Sequence, residues 1–337
     1  MGTEQITPIC AFNGLSRSLW DRIRCAMRHI LGRTAQPLRG SIAACGDVVV
    51  YVRLGIVSLL MWDEVAGAVR FESLVASPLT GQSSFDGGAA GSPDGSQFVV
   101  VRWVPDCVWG HPLFWTGLLI YAPWGQASRE PIRVPWPFRH LLPGSAVWSS
   151  RGVHILALES TGQGYLPKAI ATYDAGGDCY SHEMLGWSDL HAVLDPMTLP
   201  LHLIEDRLAL ANEEERSLVF VDNRQPVGLW ARSHGDAIGP SARGGAVRLC
   251  RDGASQWRVL RLGEEGSQEE VRRWSGNRRL RPHGVALAGN GMLVVLDADG
   301  TAWVLLPHDT RLRRVAMTQG DAVLNAVVCD MPGLSVR

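Results

Sequence analysis

A ten-residue segment near the C-terminal end of the chain, 272–281, has the residue types that can hold a nucleic acid. It contains five arginines and one tryptophan, RRWSGNRRLR. Guanidinium groups bind phosphates, and an exposed tryptophan stacks on bases. Four glutamates in residues 264–270 precede it and can neutralise it as a charged loop. The segment therefore predicts either a protein contact or a nucleic-acid contact, and its candidate residues are Arg272, Arg273, Trp274, Arg278 and Arg279.

Tryptophan is the second residue type that stands out. The chain has 13 Trp against 7 Phe and 5 Tyr. Trp103, Trp109 and Trp115 lie within or beside the stretch VPDCVWGHPLFW, which we predict to be a long apolar connection between strands. Aromatic side chains and arginine dominate the energetics of protein interfaces. The stretch is therefore expected either to pack on its neighbouring unit or to present aromatic anchors to a partner.

Catalytic signatures are absent from the sequence. No G-x-S-x-G, no H-E-x-x-H, no Walker-type phosphate loop and no G-x-G-x-x-G after a strand occurs. The ten histidines are scattered singly, and the seven cysteines form no C-x-x-C pair. Such cysteines are typical of buried, reduced thiols in a cytosolic protein. We therefore predict no catalytic residue, no metal site and no cofactor.

The elements that must position these residues are short strands. Residues 281–307 contain three apolar strands separated by turns at Asn290-Gly291 and Asp299-Gly300, and Asn-Gly and Asp-Gly suit tight hairpin turns. Weaker copies of this unit begin near residues 41, 89, 145, 192, 246 and 285. A repeat of about 40 to 55 residues with four strands per unit is typical of a propeller.

Two stretches carry a family resemblance. Ser92-Pro93-Asp94-Gly95 and the strand that follows it, together with Pro282-His283-Gly284-Val285, resemble blades of β-propellers of the WD-repeat or six-bladed lactonase type. The resemblance implies an all-β propeller of six blades, or alternatively seven, each a four-stranded antiparallel sheet. It also implies that the C-terminal strand, residues 323–329, closes the ring by pairing in the blade that contains residues 41–74.

The lactonase resemblance implies an enzymatic alternative. Lactonase-like propellers hold a divalent cation in the central channel with carboxylates and an asparagine from different blades. The candidate ligands near strand ends are Glu159, Asp195, Glu205 and Asp297, with Asn212 or Asn290 as neutral donors. This alternative is a metal-dependent hydrolase.

One helical pattern precedes the strands. Ser18 and Asp21 resemble a capping box, and the apolar residues from Leu19 to Leu31 recur at helical spacing. The helix either packs on the rim of the propeller or binds a partner, with Trp20 and Arg24 as candidate contacts. We therefore divide the chain into an N-terminal arm, 1–39, and a propeller domain, 40–337.

Composition limits the remaining possibilities. The formal net charge is −1 and 46% of the residues are hydrophobic, which predicts a large core and no global attraction to nucleic acid. No secretory signal or membrane span is expected, and only Lys168 among the 32 basic residues is a lysine, a bias typical of a high-GC bacterial genome. The sequence thus predicts a cytoplasmic, non-enzymatic scaffold that binds other protein subunits in a bacterial complex. The alternatives are the metal-dependent hydrolase and a nucleic-acid-binding subunit.

Overall fold

The computed structural model describes the greater part of the chain between residues 41 and 329. The described residues are 41–53, 56–75, 85–108, 111–121, 132–134, 136–138, 141–161, 164–174, 176, 178–186, 200–212, 217–224, 226–229, 236–263, 267–276, 280–297, 301–315, 324–325 and 328–329. The arm 1–39 with its expected helix, Trp20 and Arg24, lies outside them, so the domain boundary stays a prediction. Among the described residues, no helix is long and apolar enough to cross a membrane.

The described residues form antiparallel strands that follow one another along the chain. The strands of the first half are β1 Ser41–Cys45, β2 Val48–Arg53, β3 Ile56–Asp63, β4 Ala68–Val75, β5 Phe85–Gly91, β6 Phe98–Val108, β7 His111–Tyr121, β8 Ile132–Val134, β9 Leu141–Ser149, β10 Gly152–Thr161, β11 Gly164–Tyr173 and β12 Cys179–Met184. The strands of the second half are β13 Leu201–Ile204, β14 Arg207–Asn212, β15 Ser217–Phe220, β16 Pro226–Leu229, β17 Ala237–Pro240, β18 Ala246–Asp252, β19 Gln256–Leu262, β20 Gln268–Ser275, β21 Pro282–Leu287, β22 Leu293–Asp297, β23 Ala302–Leu305, β24 Arg313–Val315, β25 Leu324–Asn325 and β26 Val328–Cys329.

These strands make six sheets, which we number 1 to 6 in chain order. Each sheet joins four consecutive strands as a meander, from β1–β4 in sheet 1 to β21–β24 in sheet 6. The first strand of each sheet lies beside the first strands of the sheets before and after it, and β1 contacts both β5 and β21. The sheets therefore surround a central axis, and the prediction of an all-β propeller is confirmed.

Apolar packing between neighbouring sheets supplies the core. Six clusters of buried side chains occur in the described part of the chain, one at each interface between adjacent sheets, including the interface of sheets 6 and 1. In β2, Val48 and Val50 pack towards sheet 2, whereas Val49 and Tyr51 pack towards sheet 6. Successive side chains of a strand point to opposite faces, so a strand covered on both faces must be apolar at every position. This explains the run VVVYV.

The innermost strands approach one another so closely that glycine is required at several positions. A Cβ on Gly239 of β17 would lie 1.6 Å from the carbonyl oxygen of Val285 in β21. A Cβ on Gly91 of β5 would lie 2.2 Å from the carbonyl oxygen of Ala44 in β1. Both contacts are with backbone atoms, which cannot swing away as the end of a side chain can.

The C-terminal strands connect the first and last sheets at their outer edges. Leu324–Asn325 pairs with β4, so the C-terminal segment pairs in the blade of residues 41–75 as predicted. The pairing differs from the expected one because sheet 1 already has four strands, and β25 adds a fifth. Val328–Cys329 then pairs with β24 of sheet 6. The ring is thus closed mainly by the contact of β1 with β21, and the C-terminal segment joins the rim.

Two predicted units start at other residues. The first strand of sheet 4 is Leu201–Ile204, whereas the unit was expected to start near residue 192. The unit near residue 246 was expected to begin with Ala246, but that residue starts β18, the second strand of sheet 5. The first strand is Ala237–Pro240, whose sequence AIGP resembles a loop because glycine and proline are poor strand formers. Packing against β21 overrides this local preference.

The close contact at Gly239 predicts a large loss of stability on adding one methyl group. Gly239→Ala should lower the free energy of unfolding by about 3 kcal/mol or more, because β17 and β21 must separate to admit the Cβ. Gly186→Ala is the matched control, since its Cβ would meet only the end of the Arg224 side chain. Urea unfolding of both variants measures the difference, and equal stabilities would contradict this account of the inner strands.

Candidate functional site

The central channel forms a cavity of about 320 Å³. Its described walls come from the innermost strands of all six sheets and from the turns that follow them. Small residues predominate, because larger ones do not fit where the strands converge. The cavity lies near the lower end of the size range of small-molecule sites, about 300 to 1,000 Å³.

Two serines in the channel wall serve the fold. The hydroxyl of Ser41 accepts a hydrogen bond from the backbone N–H of Ala89 at 3.0 Å, and the hydroxyl of Ser145 accepts one from Leu201 N–H at 2.8 Å. Each bond joins one innermost strand to the next. These hydroxyl groups therefore accept hydrogen bonds from backbone donors of the neighbouring sheet.

The tryptophan-rich stretch forms a hairpin instead of the expected loop. Strands β6 and β7 pair continuously from Phe98 with Tyr121 to Val108 with His111. The register places Trp103 opposite Thr116 and Trp115 opposite Val104, while Trp109 lies outside the described residues. The prediction of a loop was wrong because aromatic and β-branched residues favour strand pairing despite Pro105 and Pro112.

The distal part of this hairpin extends beyond the described strands β5 and β8 of sheet 2. Strand β5 pairs with β6 only as far as Trp103, and β8 pairs with β7 only from Thr116 to Leu118. Residues 104–108 and 111–115 pair only with each other among the described strands, and we call them the projecting hairpin. Five residue pairs at about 3.4 Å per residue extend it by about 17 Å.

The arginine segment is mostly part of strand β20 and its contacts. Arg272 donates hydrogen bonds to the backbone carbonyl oxygens of Leu306 and Asp309 in sheet 6. Arg273 pairs with Glu270 at 2.8 Å. Hydrogen bonding to Arg273 is the main cause of the lowered pKa of Glu270. Arg278 and Arg279 lie outside the described residues. Glu270 thus neutralises Arg273, one of the arginines of the segment.

Trp274 is a core residue. Only 2% of its surface is exposed, and its ring stacks on Trp257 with centroids 6.1 Å apart. Trp274 and Trp257 are direct register partners on β20 and β19 at the interface of sheets 5 and 6. A buried ring cannot stack on a base, so the nucleic-acid alternative lacks the exposed aromatic residue on which it depended.

The carboxylates considered for a lactonase-like metal site have other roles where the structure describes them. Glu159 pairs with Lys168 at 3.0 Å. Asp297 accepts a hydrogen bond from the N–H of Arg281, and Asn290 accepts one from the N–H of Met292 in its turn. Glu205 lies in the β13–β14 turn with φ of 48°. None of these four residues is among the described residues that line the channel. Asp195 lies outside the described residues.

A group of three or more His, Cys, Asp or Glu side chains that could hold a metal ion does not occur in the described part of the chain.

The Ser92-Pro93-Asp94-Gly95 turn contains an ionised carboxylate, that of Asp94, which hydrogen bonds stabilise. The hydroxyl of Ser92 donates to Asp94, and Ser96 donates its hydroxyl at 2.6 Å and its N–H at 3.0 Å to the same carboxylate. These hydrogen bonds, that of Ser92 first, lower the pKa of Asp94 to about 2. Because each bond stabilises the ionised form, the turn is held in shape by the charge.

Two buried histidines occupy different environments. His154 in β10 has both ring nitrogens engaged: Nε2 lies 2.7 Å from the Ser149 hydroxyl and Nδ1 lies 3.0 Å from the Thr172 hydroxyl. His202 in β13 lines the channel. The sequence reasoning missed His202, because a lone histidine in the strand LHLI is typical of a structural residue.

The chain shows no match to any protein-family model or to any curated protein. Among solved structures it is similar to a glucose dehydrogenase, with 13% identity over 84% of this chain and 98% of that one and a TM-score of 0.48. It is also similar to the allergen Mala s 1 of Malassezia sympodialis, with 11% identity, 78% and 87% coverage and a TM-score of 0.45. For BamB from Moraxella catarrhalis the identity is 13%, the coverage 81% and 97%, and the TM-score 0.36. At TM-scores below 0.5 these likenesses carry no argument about what this chain binds or catalyses.

Burial of Trp274 predicts that its replacement affects folding. Trp274→Ala should lower the free energy of unfolding by about 3 to 5 kcal/mol, because it leaves a cavity between sheets 5 and 6. Arg273→Gln, one residue away and half-exposed, should change it by less than about 1 kcal/mol. Guanidinium unfolding measures both. A Trp274→Ala protein as stable as the wild type would place this ring at the surface instead.

The pKa of Asp94 predicts a pH dependence of stability. The folded-state pKa, about 2, lies below the usual 3.8, so the unfolded chain binds the proton more readily. The stabilisation is present above about pH 4 and is lost as the pH falls towards 2. Urea unfolding between pH 5 and 2 should therefore show a steeper loss in the wild type than in Asp94→Asn. Parallel curves would show that this charge does not hold the turn.

Proposed function

We propose that this propeller is a protein-interaction scaffold whose partner binds the projecting hairpin. The observation that carries the proposal is the hairpin's extension beyond β5 and β8, with no further described strand on either edge. A two-stranded hairpin alone is marginally stable in water. A segment of this kind is stabilised when another surface covers it.

The composition of the projecting hairpin supports an apolar mode of recognition. Its ten residues read VPDCV and HPLFW, and only Asp106 and His111 among them are ionisable at ordinary pH. Pro105 and Pro112 each remove a backbone donor from their strand, which blunts the edges against pairing with another strand. The partner is therefore expected to contribute an apolar groove that receives the hairpin, and not an added strand.

The ring provides a rigid base for such a contact. The hairpin begins in β6 and β7, and the buried residues Phe98, Val99 and Val100 of β6 lie in the interfaces with sheets 1 and 3. A rigid support lowers the conformational entropy that is lost on binding. The bacterial, cytoplasmic setting inferred from composition remains part of this proposal, as does the absence of catalysis.

Affinity purification of the full chain from its host cells, followed by mass spectrometry, tests the proposal. The double variant Phe114→Ser/Trp115→Ser should retain at least about tenfold less of the partner protein than the wild type, because aromatic anchors supply much of the binding energy. Its melting temperature should change by less than about 2 °C, because the altered residues lie beyond the three- and four-stranded part of sheet 2.

The matched control is Val65→Ser/Met184→Ser. These residues are the exposed large apolar side chains among those described, at 101% and 62% exposure. Val65 lies in the β3–β4 turn of sheet 1 and Met184 in β12 of sheet 3. The control should retain the partner at the wild-type level. Equal retention by the hairpin variant, or loss in the control as well, would contradict the proposed surface, and a wild-type chain that purifies alone would contradict the scaffold function.

A further inference from the structure

We propose that the N-terminal arm covers the projecting hairpin in the free protein, through the apolar residues between Leu19 and Leu31. The arm then occupies the surface that the proposed partner needs, so the partner has to displace it. This regulatory role rests on the proposed function, whereas the contact between the arm and the hairpin does not.

The arm joins the ring beside the sheet that carries the hairpin. Residues 1–40 precede the described part of the chain, which begins with Ser41 of β1. The Ser41 hydroxyl accepts a hydrogen bond from the N–H of Ala89 in β5 at 3.0 Å, and Ala44 lies against Gly91 further along β5. Strand β1 therefore runs alongside β5 in the same direction.

This direction determines the end of the ring at which the arm leaves. Followed backwards from Ala89, β5 reaches Phe85, which pairs with Trp103 next to the base of the projecting hairpin. Because β1 runs alongside β5, the residues before Ser41 lead towards the same end of sheet 2. The arm and the hairpin thus lie at one end of the ring.

The linker between the helical pattern and β1 is long enough to reach the hairpin. It consists of the nine residues 32–40, GRTAQPLRG, which span up to about 30 Å when extended. Val104, the first residue of the projecting hairpin, lies four residues along β6 from Val100, the register partner of Ala89. Four residues of a strand correspond to about 14 Å.

The apolar stripe of the arm matches the hairpin in length and in chemistry. A helix over residues 19–31 is about 20 Å long, and the hairpin projects by about 17 Å. In such a helix the apolar residues share a sector of about 120°; they are Leu19, Trp20, Ile23, Met27, Ile30 and Leu31. The hairpin has two ionisable residues among its ten, Asp106 and His111. Contact between the two segments therefore removes apolar surface of both from water.

The exposed large apolar side chains among the described residues do not form a comparable surface. Val65 lies in the β3–β4 turn of sheet 1 and Met184 in β12 of sheet 3. Sheet 2 separates these two sheets in the ring, so the two side chains stand alone. The hairpin is the described segment whose length and composition suit the stripe of the arm.

Amide hydrogen exchange of the purified full chain, measured by mass spectrometry without any partner, tests the inference. In Ile23→Ser/Met27→Ser, peptides from residues 104–115 should exchange at least about tenfold faster than in the wild type, because the arm no longer covers them. The matched control is Arg22→Ser/Arg28→Ser, whose residues lie about 120° from the centre of the apolar stripe. The control should exchange within about twofold of the wild type.

The reciprocal measurement uses the hairpin variant Phe114→Ser/Trp115→Ser. Peptides from residues 19–31 should exchange at least about tenfold faster in this variant, because a coupling between two segments acts in both directions. Unchanged exchange of 104–115 in the arm variant, or of 19–31 in the hairpin variant, would overturn the inference. Faster exchange of 104–115 when the wild type is diluted tenfold would overturn it too, because a second copy would then supply the cover.

Failure of the contact and failure of the scaffold function give different results. The exchange measurement uses the chain without a partner, so a wild-type chain that purifies alone from its host leaves the predicted protection unchanged. A hairpin that the arm does not protect, in contrast, leaves the predicted loss of the partner in Phe114→Ser/Trp115→Ser unchanged.

Discussion

The close approach of the six innermost strands is the constraint on which the rest of the molecule depends. Neighbouring strands lie so near each other that a single added Cβ at Gly239 or Gly91 would meet a carbonyl oxygen at 1.6 or 2.2 Å. Contacts between turns extend the same pattern: the N–H of Gly289 donates to the carbonyl oxygen of Gly46 at 2.7 Å, and Ser150 donates to Asp206 of the next sheet. Each sheet is thus held by both neighbours, and no sheet has its own separate core.

This packing determines where the molecule can have variable features. Strands between two neighbours must be apolar on both faces, so function cannot reside there without loss of core. The projecting hairpin departs from this pattern, because its strand pairing continues past the described strands of the sheet that supports it. Local departures from packing and hydrogen-bonding rules are expected at functional sites.

The parts of the fold that could be predicted from the sequence are those that local residues specify. Asn290-Gly291 and Ser92-Pro93-Asp94-Gly95 form turns between the first and second strands of their sheets, because their backbone preferences suit a tight turn. Strand β17 was missed, since its glycine is required only by Val285, some 46 residues later in the chain. Trp274 was expected at the surface because its neighbours are charged, but alternation along β20 buries it while Arg273 and Ser275 are exposed.

The candidate site was harder to predict for the same reason. The position of His202 in the channel wall depends on residues from other sheets, which no local pattern can show. The tryptophan-rich stretch stands out in the sequence by its composition, but its form as a hairpin depends on a cross-strand register between residues 98–108 and 111–121. The spacing of apolar residues and turns along the chain is therefore enough to predict the repeated unit. The channel, in contrast, is formed by contacts between distant segments, which this spacing does not specify.

Amide hydrogen exchange measured by mass spectrometry tests the central claim, that the innermost strands hold one another in a closed ring, most directly. Peptides that cover β1, β5, β9, β13, β17 and β21 should all exchange through one common opening, whose free energy equals that of global unfolding. Exchange from one innermost strand at a clearly lower free energy, while the other five stay protected, would contradict the claim.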